Sequence, residues 1–357
     1  MAGPAKSESV EDVLRERAEE VRRALDEALR PPRARPFDGT QGKQGGRLNV
    51  NGSTDATTGP VVEGISHYRA GPVVEGISHY RAGPVVEEIS HYRAVLYEAM
   101  RYMVLGGGKK LRPALVLLAS EACGGSADAA MPAACAVEMV HIYSLIHDDL
   151  PAMDNDDLRH GRPSCHKAFG EAMAILAGDT LLTEAFTLLA TGVEDAAVCR
   201  PLVRELASAA GAEGMAGGQV ADLAAERQGL RDERLLEEIH RRKTARLIEA
   251  SVVMGAISAR ASERLERSLR EYGTHLGLAF QVADDILDAV GETQVLGKTA
   301  GKDAAAGKLT FVSLFGLEAA RRRASDEADA AVAALEPFGP KADRLREVAR
   351  FVVERTF

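Results

Sequence analysis

Five carboxylates fall within ten residues at 148–157: Asp148, Asp149, Asp154, Asp156 and Asp157, in the stretch SLIHDDLPAMDNDDLRHGRP (144–163). Like charges this close repel one another unless cations neutralise them. A solvated acidic loop would meet that need with water and salt. The neighbours fit that reading poorly, because the apolar run VEMVHIYSLIH precedes the cluster and Arg159 and Arg162 follow it directly. A second cluster, in GLAFQVADDILDAVG (277–291), sets Asp284 and Asp288 four residues apart, one face of a helix, with Asp285 beside them. Carboxylates on an apolar helix are costly to bury without counterions. Hard oxygen donors of this kind suit Mg²⁺, which keeps several waters and bridges to substrate phosphates. One acidic cluster is a weak signal; two, about 135 residues apart and each ending an apolar helical segment, are a strong one.

The third feature is basic. GGGKKLRP (106–113) supplies Lys109, Lys110 and Arg112 after glycines that let backbone N–H groups approach a phosphate. It is not a P-loop, because the GxxxxGK[ST] order is missing. Further cations stand at Lys243, next to Thr244, and at Lys298 and Lys308 in GKTAGKDAAAGKLTF. Carboxylates and cations far apart along the chain can converge in a helical bundle.

The elements that must bring them together read as helices. The chain has 357 residues, 46% of them apolar, with 4% aromatics and no tryptophan. Long Ala/Leu/Glu/Arg stretches without alternating β-branched runs predict an all-α protein, a single large helical bundle around a central cavity. Helical patterns cover 112–123, 129–150, 170–192, 200–212, 232–258, 261–289 and 309–335, for example. An N-terminal helix is expected over 1–30, with Val10, Leu14, Val21 and Leu25 as its apolar stripe and Pro31-Pro32 as its stop.

Residues 31–94 read as a flexible linker ending in three 12-residue repeats. GPVVEGISHYRA stands at 59–70 and 71–82, and GPVVEEISHYRA at 83–94. The repeated His67, His79 and His91 are conceivable metal ligands; duplication of a tolerated surface segment is the plainer account. Glu88 in place of Gly76 favours helix, so the third copy can run into AVLYEAMRYMVL. A catalytic domain is assigned to 95–357.

Charge and cysteines exclude other classes. A net charge of −9 argues against general nucleic-acid affinity. Cys123, Cys135, Cys165 and Cys199 are too dispersed for a zinc site or a disulfide framework, and read as free thiols in a reducing compartment. No run approaches the roughly 18 apolar residues of a membrane span. Glu8, Glu11 and Asp12 do not suit a signal peptide, so a cytoplasmic protein is expected.

In order, the motifs GGKKLRP, HDDLPAMDNDDLRHGRPSCHKAFGEA, GMAGGQVADL, HRRKTARLI, FQVADDILD and GKTAGKDAAAGK resemble the trans-isoprenyl diphosphate synthases, particularly the bacterial farnesyl and geranylgeranyl types. The resemblance covers 95–357. It implies that Asp148 and Asp154, with Asp149 adjacent, hold Mg²⁺ against an allylic diphosphate. Asp284 and Asp288, with Asp285 beside them, hold the same diphosphate from the opposite wall through further magnesium, about three ions in all, with manganese as a substitute. Lys109, Arg112 and His141 match positions for isopentenyl diphosphate. Arg159, Lys243, Thr244, Gln281 and Lys298 match contacts to the allylic substrate, such as dimethylallyl or geranyl diphosphate, and Lys308 is a further candidate. The family usually has two arginines where this chain has Arg159-His160; an imidazole neutral near pH 7 weakens that position. Lys110 stands where the family has Arg, and cannot make a bidentate fork. A homodimer is implied as well.

Product length is a question of volume. Tyr143, five residues before Asp148, either floors the pocket for the growing tail or packs in the core. The aromatic and the two extra residues of DDLPAMD resemble farnesyl synthases, so a C15 product is expected, with C20 the runner-up. A terpene cyclase, a squalene-synthase-like enzyme and a non-catalytic synthase subunit fit less well, since both clusters and their cations are intact.

Overall fold

Helices account for the fold, and their sequences show why they form and where they stop. The computed structural model describes residues 9–31, 82–290 and 308–354, with side chains from 92 onward in the second stretch. The first two repeat copies up to Arg81, and Lys298 with its neighbours 291–307, lie outside the described residues. Met1–Arg30 and Val95–Phe357 fall in one compact unit and Pro31–Ala94 in another.

Helix α1 (Val10–Ala28) starts at Ser9, whose hydroxyl accepts from the Asp12 N–H, and buries the expected Leu14, Val21 and Leu25. Helix α2 (Ala82–Val104) runs through the third repeat copy without a break. Next come α3 (Leu111–Ala122) and α4 (Ala127–Asp148). A two-stranded ribbon of β1 (Leu158–Arg159) and β2 (Arg162–Pro163), not foreseen, interrupts the helices. The chain continues through α5 (Cys165–Phe169), α6 (Glu171–Gly192), α7 (Ala196–Ala210), α8 (Met215–Gln228) and α9 (Glu233–Ile239). A π-helical turn, His240–Ala245, leads into α10 (Arg246–Ser258). Then follow α11 (Glu263–Val290), α12 (Phe311–Phe315), α13 (Leu317–Ala334), a 3₁₀ stretch at Glu336–Ala342 and α14 (Asp343–Glu354).

Helix α10 is the centre. Its buried run from Leu247 to Ala256 is apolar on almost every side, which is why it lacks the stripe of a surface helix. On one side α2, α4, α6 and α7 close a core around Met100, Met139, Ile142, Leu181 and Leu202. On the other, α1, α3, α11 and α14 close a second core. In α11 the buried Leu269, Tyr272, Leu276, Ala279, Ala283 and Ile286 alternate steps of three and four, the period of one helix face. Tyr272 is fully buried and its hydroxyl donates to the Leu345 carbonyl of α14 at 2.8 Å.

Helices α4 and α6 are long and apolar enough, by length and composition, to cross a membrane, although no continuous apolar run in them reaches that length. Polar residues such as His141, Ser144 and Thr180 break each helix's continuous apolar run without lowering its average hydropathy enough to exclude it. In α4 most of that apolar surface is core. The continuous helix expected over 309–335 divides at Gly316, whose φ of 80° is left-handed. The four cysteines are free thiols, as expected.

Candidate active site

The first acidic cluster is built by a helix end. Helix α4 stops at Asp148, and the chain folds back on itself through Asp154 N–H to Asp148 O at 2.8 Å and Asp156 N–H to Asp149 O at 3.1 Å. Fully buried Asp149 accepts from Arg159 Nε at 3.1 Å and also from Nη2. Asp156 stands 3.5 Å from the same Nη2, and Asp157 pairs with Lys167 at 2.8 Å. Three of the five carboxylates therefore hold the loop together. Asp148 is the one under most stress: burial pushes its pKa up to about 6, opposed by Lys243 and reinforced by Asp154. A carboxylate so placed favours a cation beside it.

The second cluster lies on an unbroken helix, and its three members face two ways. Asp285, one residue from Asp284, turns to the structure behind it. Its carboxylate accepts from the Phe311 N–H at 2.7 Å and from Gln281 Nε2 at 3.0 Å, and lies 3.4 Å from His240 Nε2. Gln281 in turn accepts from the Thr244 hydroxyl. Asp284 is half-buried on the other face, where its charge acts on Arg112, and Asp288 is buried one turn on.

Between the clusters sits the π-helical turn, a feature often found at functional sites. It sends Lys243 to Asp222 of α8, Nζ to Oδ2 2.7 Å, and Thr244 to Gln281 of α11. Helix α8 can approach only because residue 218 is glycine: a Cβ there would lie 2.3 Å from the Lys243 backbone nitrogen. Asp222, His240, Lys243, Thr244, Gln281, Asp285 and Lys308 line one cleft. Burial pushes His240 down to about 4, so it stays neutral there.

The basic GGGKKLRP segment splits its duties. Lys110, at a left-handed φ of 50°, turns inward, donates to Val104 O at 2.7 Å and pairs with Glu138 at 2.9 Å, both side chains almost fully buried. It is thereby withdrawn from the phosphate-binding role expected of it; the left-handed backbone aims its side chain into the core. Arg112 lies 3.3 Å from His141 Nε2 and over the Phe280 ring. Burial, then the charges of Arg112 and Lys110, hold His141 well below its usual pKa, so its neutral ring accepts from Arg112. Lys109 is exposed and lies over the Phe351 ring at 5.2 Å.

Among the described candidates, then, Asp148, Lys243, Thr244, Gln281, Asp285 and Lys308 gather at the π turn, and Arg112, His141 and Asp284 at the glycine loop. Arg159 is spoken for through Nε and Nη2. Tyr143 is half-buried against the α4 core, with its ring edge-on to His147 at 5.8 Å. Burial and Asp148 both raise its pKa. Sequence reasoning passed over Asp222 and Glu138. Both carried a signal: a lone carboxylate inside a core-like helix demands a partner.

The donors fit magnesium by their chemistry: carboxylate oxygens, one of them strained by burial, on two walls that each have a cation within reach. Among the described residues no three ligating side chains already converge on one point. Magnesium is commonly held by one or two carboxylates plus substrate phosphates.

The sequence pattern of the polyprenyl synthetase family matches residues 93–342. A chloroplastic geranylgeranyl pyrophosphate synthase of Catharanthus roseus is 48% identical over 266 residues, 73% of this chain and 74% of its own. A farnesyl diphosphate synthase of Bacillus subtilis is 50% identical over 231 residues, 64% of this chain and 78% of its own. The crystal structure of a geranyltransferase from Helicobacter pylori, complexed with magnesium and isoprenyl diphosphate, is similar with a TM-score of 0.70 at 28% identity, over 98% of both chains.

Proposed function

The chain belongs to the polyprenyl synthetase family, and from that premise we propose that this short-chain prenyl diphosphate synthase joins isopentenyl diphosphate to dimethylallyl or geranyl diphosphate and makes mainly the C15 product. The observation that carries the reading is the pair of acidic walls, each with its own cation, Lys243 acting on Asp148 and Arg112 on Asp284.

Asp148 and Asp154 on one wall, and Asp284 and Asp288 on the other, would hold about three magnesium ions, with manganese as a replacement. Bound there, magnesium would supply the positive charge that neutralises the leaving diphosphate and favours ionisation of the allylic C–O bond. The chain's own groups do the rest. Lys243, Thr244, Gln281 and Lys308 bind the allylic diphosphate at the π turn, with Lys298 a further contact. Asp149 and Asp285 serve these walls as braces. Arg112, His141 and Lys109 orient isopentenyl diphosphate so that its double bond faces the allylic carbon. The C–O bond breaks first, to pyrophosphate and an allylic cation. The double bond of isopentenyl diphosphate then attacks that cation to form the C–C bond, and one proton leaves with the pyrophosphate.

Tyr143 supports C15. It lies on α4 little more than a turn before Asp148, close enough to feel that charge, where an allylic tail running along α4 would meet it. The C20 reading has its own support in the Catharanthus relative. Purified protein incubated with Mg²⁺, isopentenyl diphosphate and geranyl diphosphate should release pyrophosphate and yield a C15 alcohol after dephosphorylation. Cyclic hydrocarbon would favour a cyclase, and no pyrophosphate a non-catalytic subunit. Tyr143→Ala should move the product to C20 or longer; an unchanged chromatogram would sink the floor assignment.

We also infer a homodimer, for which α6 offers the surface. Its Ile175 and Leu176 are about half exposed.

A further inference from the structure

Between β1 and β2 the chain turns through His160 and Gly161, both at positive φ (51° and 74°), the conformation of a tight two-residue hairpin. The hairpin is fixed in place from behind. Tyr102 of α2 donates its hydroxyl to Pro163 O at 2.9 Å, and the Arg162 guanidinium lies 4.1 Å above the Tyr102 ring. This holds the His160 ring against the glycine loop. A Cβ built on Gly108 would lie 3.1 Å from its Cε1 and 3.4 Å from its Nε2, and one on Gly107 would lie 3.4 Å from its Cβ. The glycines thus leave a slot in which an exposed imidazole and bare backbone share one surface, within electrostatic reach of His141, which Arg112 contacts. Among the described residues the His160 nitrogens make no hydrogen bond or ion pair with the protein.

We propose that His160 is a proton-dependent binding group for the second diphosphate, so that isopentenyl diphosphate binds on the glycine loop together with a proton taken up by the His160 ring. The inference rests on the isopentenyl diphosphate site assigned above. In the free protein the groups around the ring oppose its charging. Arg159 acts from its own hairpin and Lys110 from the glycine loop, against the carboxylate of Glu138 on α4, while His141 of α4 stays neutral. Partial desolvation, then Arg159 and Lys110, set its pKa below that of an ordinary histidine. A diphosphate brings several negative charges to the same slot and reverses that balance, because an anion within a few ångströms favours the imidazolium.

The sign follows from linkage. Binding raises the His160 pKa, so affinity is greatest below the free-state pKa. It weakens as pH rises through the window between free and bound values, and levels off above the bound value. Each unit of that window is about tenfold in affinity. An arginine at 160 would hold its charge throughout, and a glutamine would never acquire one.

The test is the KM for isopentenyl diphosphate from about pH 6 to about pH 8.5, at saturating Mg²⁺ and geranyl diphosphate, for the wild type, His160→Arg and His160→Gln. Ionisation of the substrate itself affects all three alike and cancels in their ratio, and His141 in the free protein is neutral across that range. The wild-type KM should approach that of His160→Arg at the acid end and that of His160→Gln at the alkaline end, a relative change of about tenfold. The KM for geranyl diphosphate should show no such crossing. Calorimetry in two buffers of different ionisation heat gives an independent reading. Isopentenyl diphosphate should take up a proton on the wild type and not on His160→Gln, which keeps the experiment decisive if His160→Arg does not fold. A wild-type to His160→Gln ratio that is flat with pH overturns the proposal, as does equal proton uptake by both. Absence of isopentenyl diphosphate turnover in every variant at every pH would instead overturn the site assignment itself.

Discussion

At the first acidic wall the chain leaves its helix; at the second it does not. The loop after α4 packs five carboxylates into one fold-back, and a cation does the holding: Arg159 grips Asp149 and approaches Asp156. On α11 the holding is done by a backbone N–H, an amide and a neutral imidazole around Asp285. The difference teaches how an acidic motif divides its labour. In each wall a buried carboxylate, Asp149 or Asp285, braces the structure, which leaves Asp148 and Asp284 for the role proposed above. Where the backbone is irregular the brace is ionic, and where it is helical neutral donors suffice.

The comparison breaks first at the substrate-facing members. Asp148→Asn and Asp284→Asn should each lower kcat by about 10²–10³-fold, the scale of a single electrostatic group at a reacting centre, measured at saturating Mg²⁺ and both substrates. If either wall loses less than about tenfold, the two do not share one diphosphate. Next come the braces. Arg159→Ala leaves the fully buried Asp149 without its charge partner and should cost about 3–5 kcal/mol in denaturant unfolding. Asp285→Asn keeps one oxygen acceptor for the Phe311 N–H and should cost about 1–2 kcal/mol. It should also retain far more kcat than Asp284→Asn; equal losses would show that Asp285 meets the metal after all. Gly218→Ala sharpens the picture of the cations. The new methyl group would press on the Lys243 backbone, so a stability loss of about 1–3 kcal/mol is expected, with a raised KM for the allylic substrate and an unchanged one for isopentenyl diphosphate.

Much of this was legible beforehand. The all-α fold followed from composition and period, and of the N-terminal stripe Leu14, Val21 and Leu25 are buried as read while Val10 is half-buried. The acidic clusters and most of their cations were recognisable by residue type and spacing alone. What was not legible was direction. Lys109 and Lys110 are chemically alike and adjacent, yet one is exposed and the other is locked to Glu138 by a left-handed backbone. Asp284 and Asp285 are adjacent and identical, yet about 100° of helix separates their duties. The π turn left no mark in the sequence, since its widened hydrogen bonds depend on α8 and α11 packing against it.

Residue identity and order therefore determined the chemistry this protein can do: two sets of hard oxygen donors, a supply of cations and helices to carry them. Those properties are local, set by side-chain type and helical period. Tertiary structure decided which of those groups are tied into the fold and which are left at the cleft. It set Lys243 against Asp222 and within reach of Asp148, gave Lys110 to Glu138, and laid His160 over two glycines more than fifty residues earlier in the chain. The physical reason is that burial and long-range charge, which fix a side chain's direction and protonation, come only from segments distant in sequence.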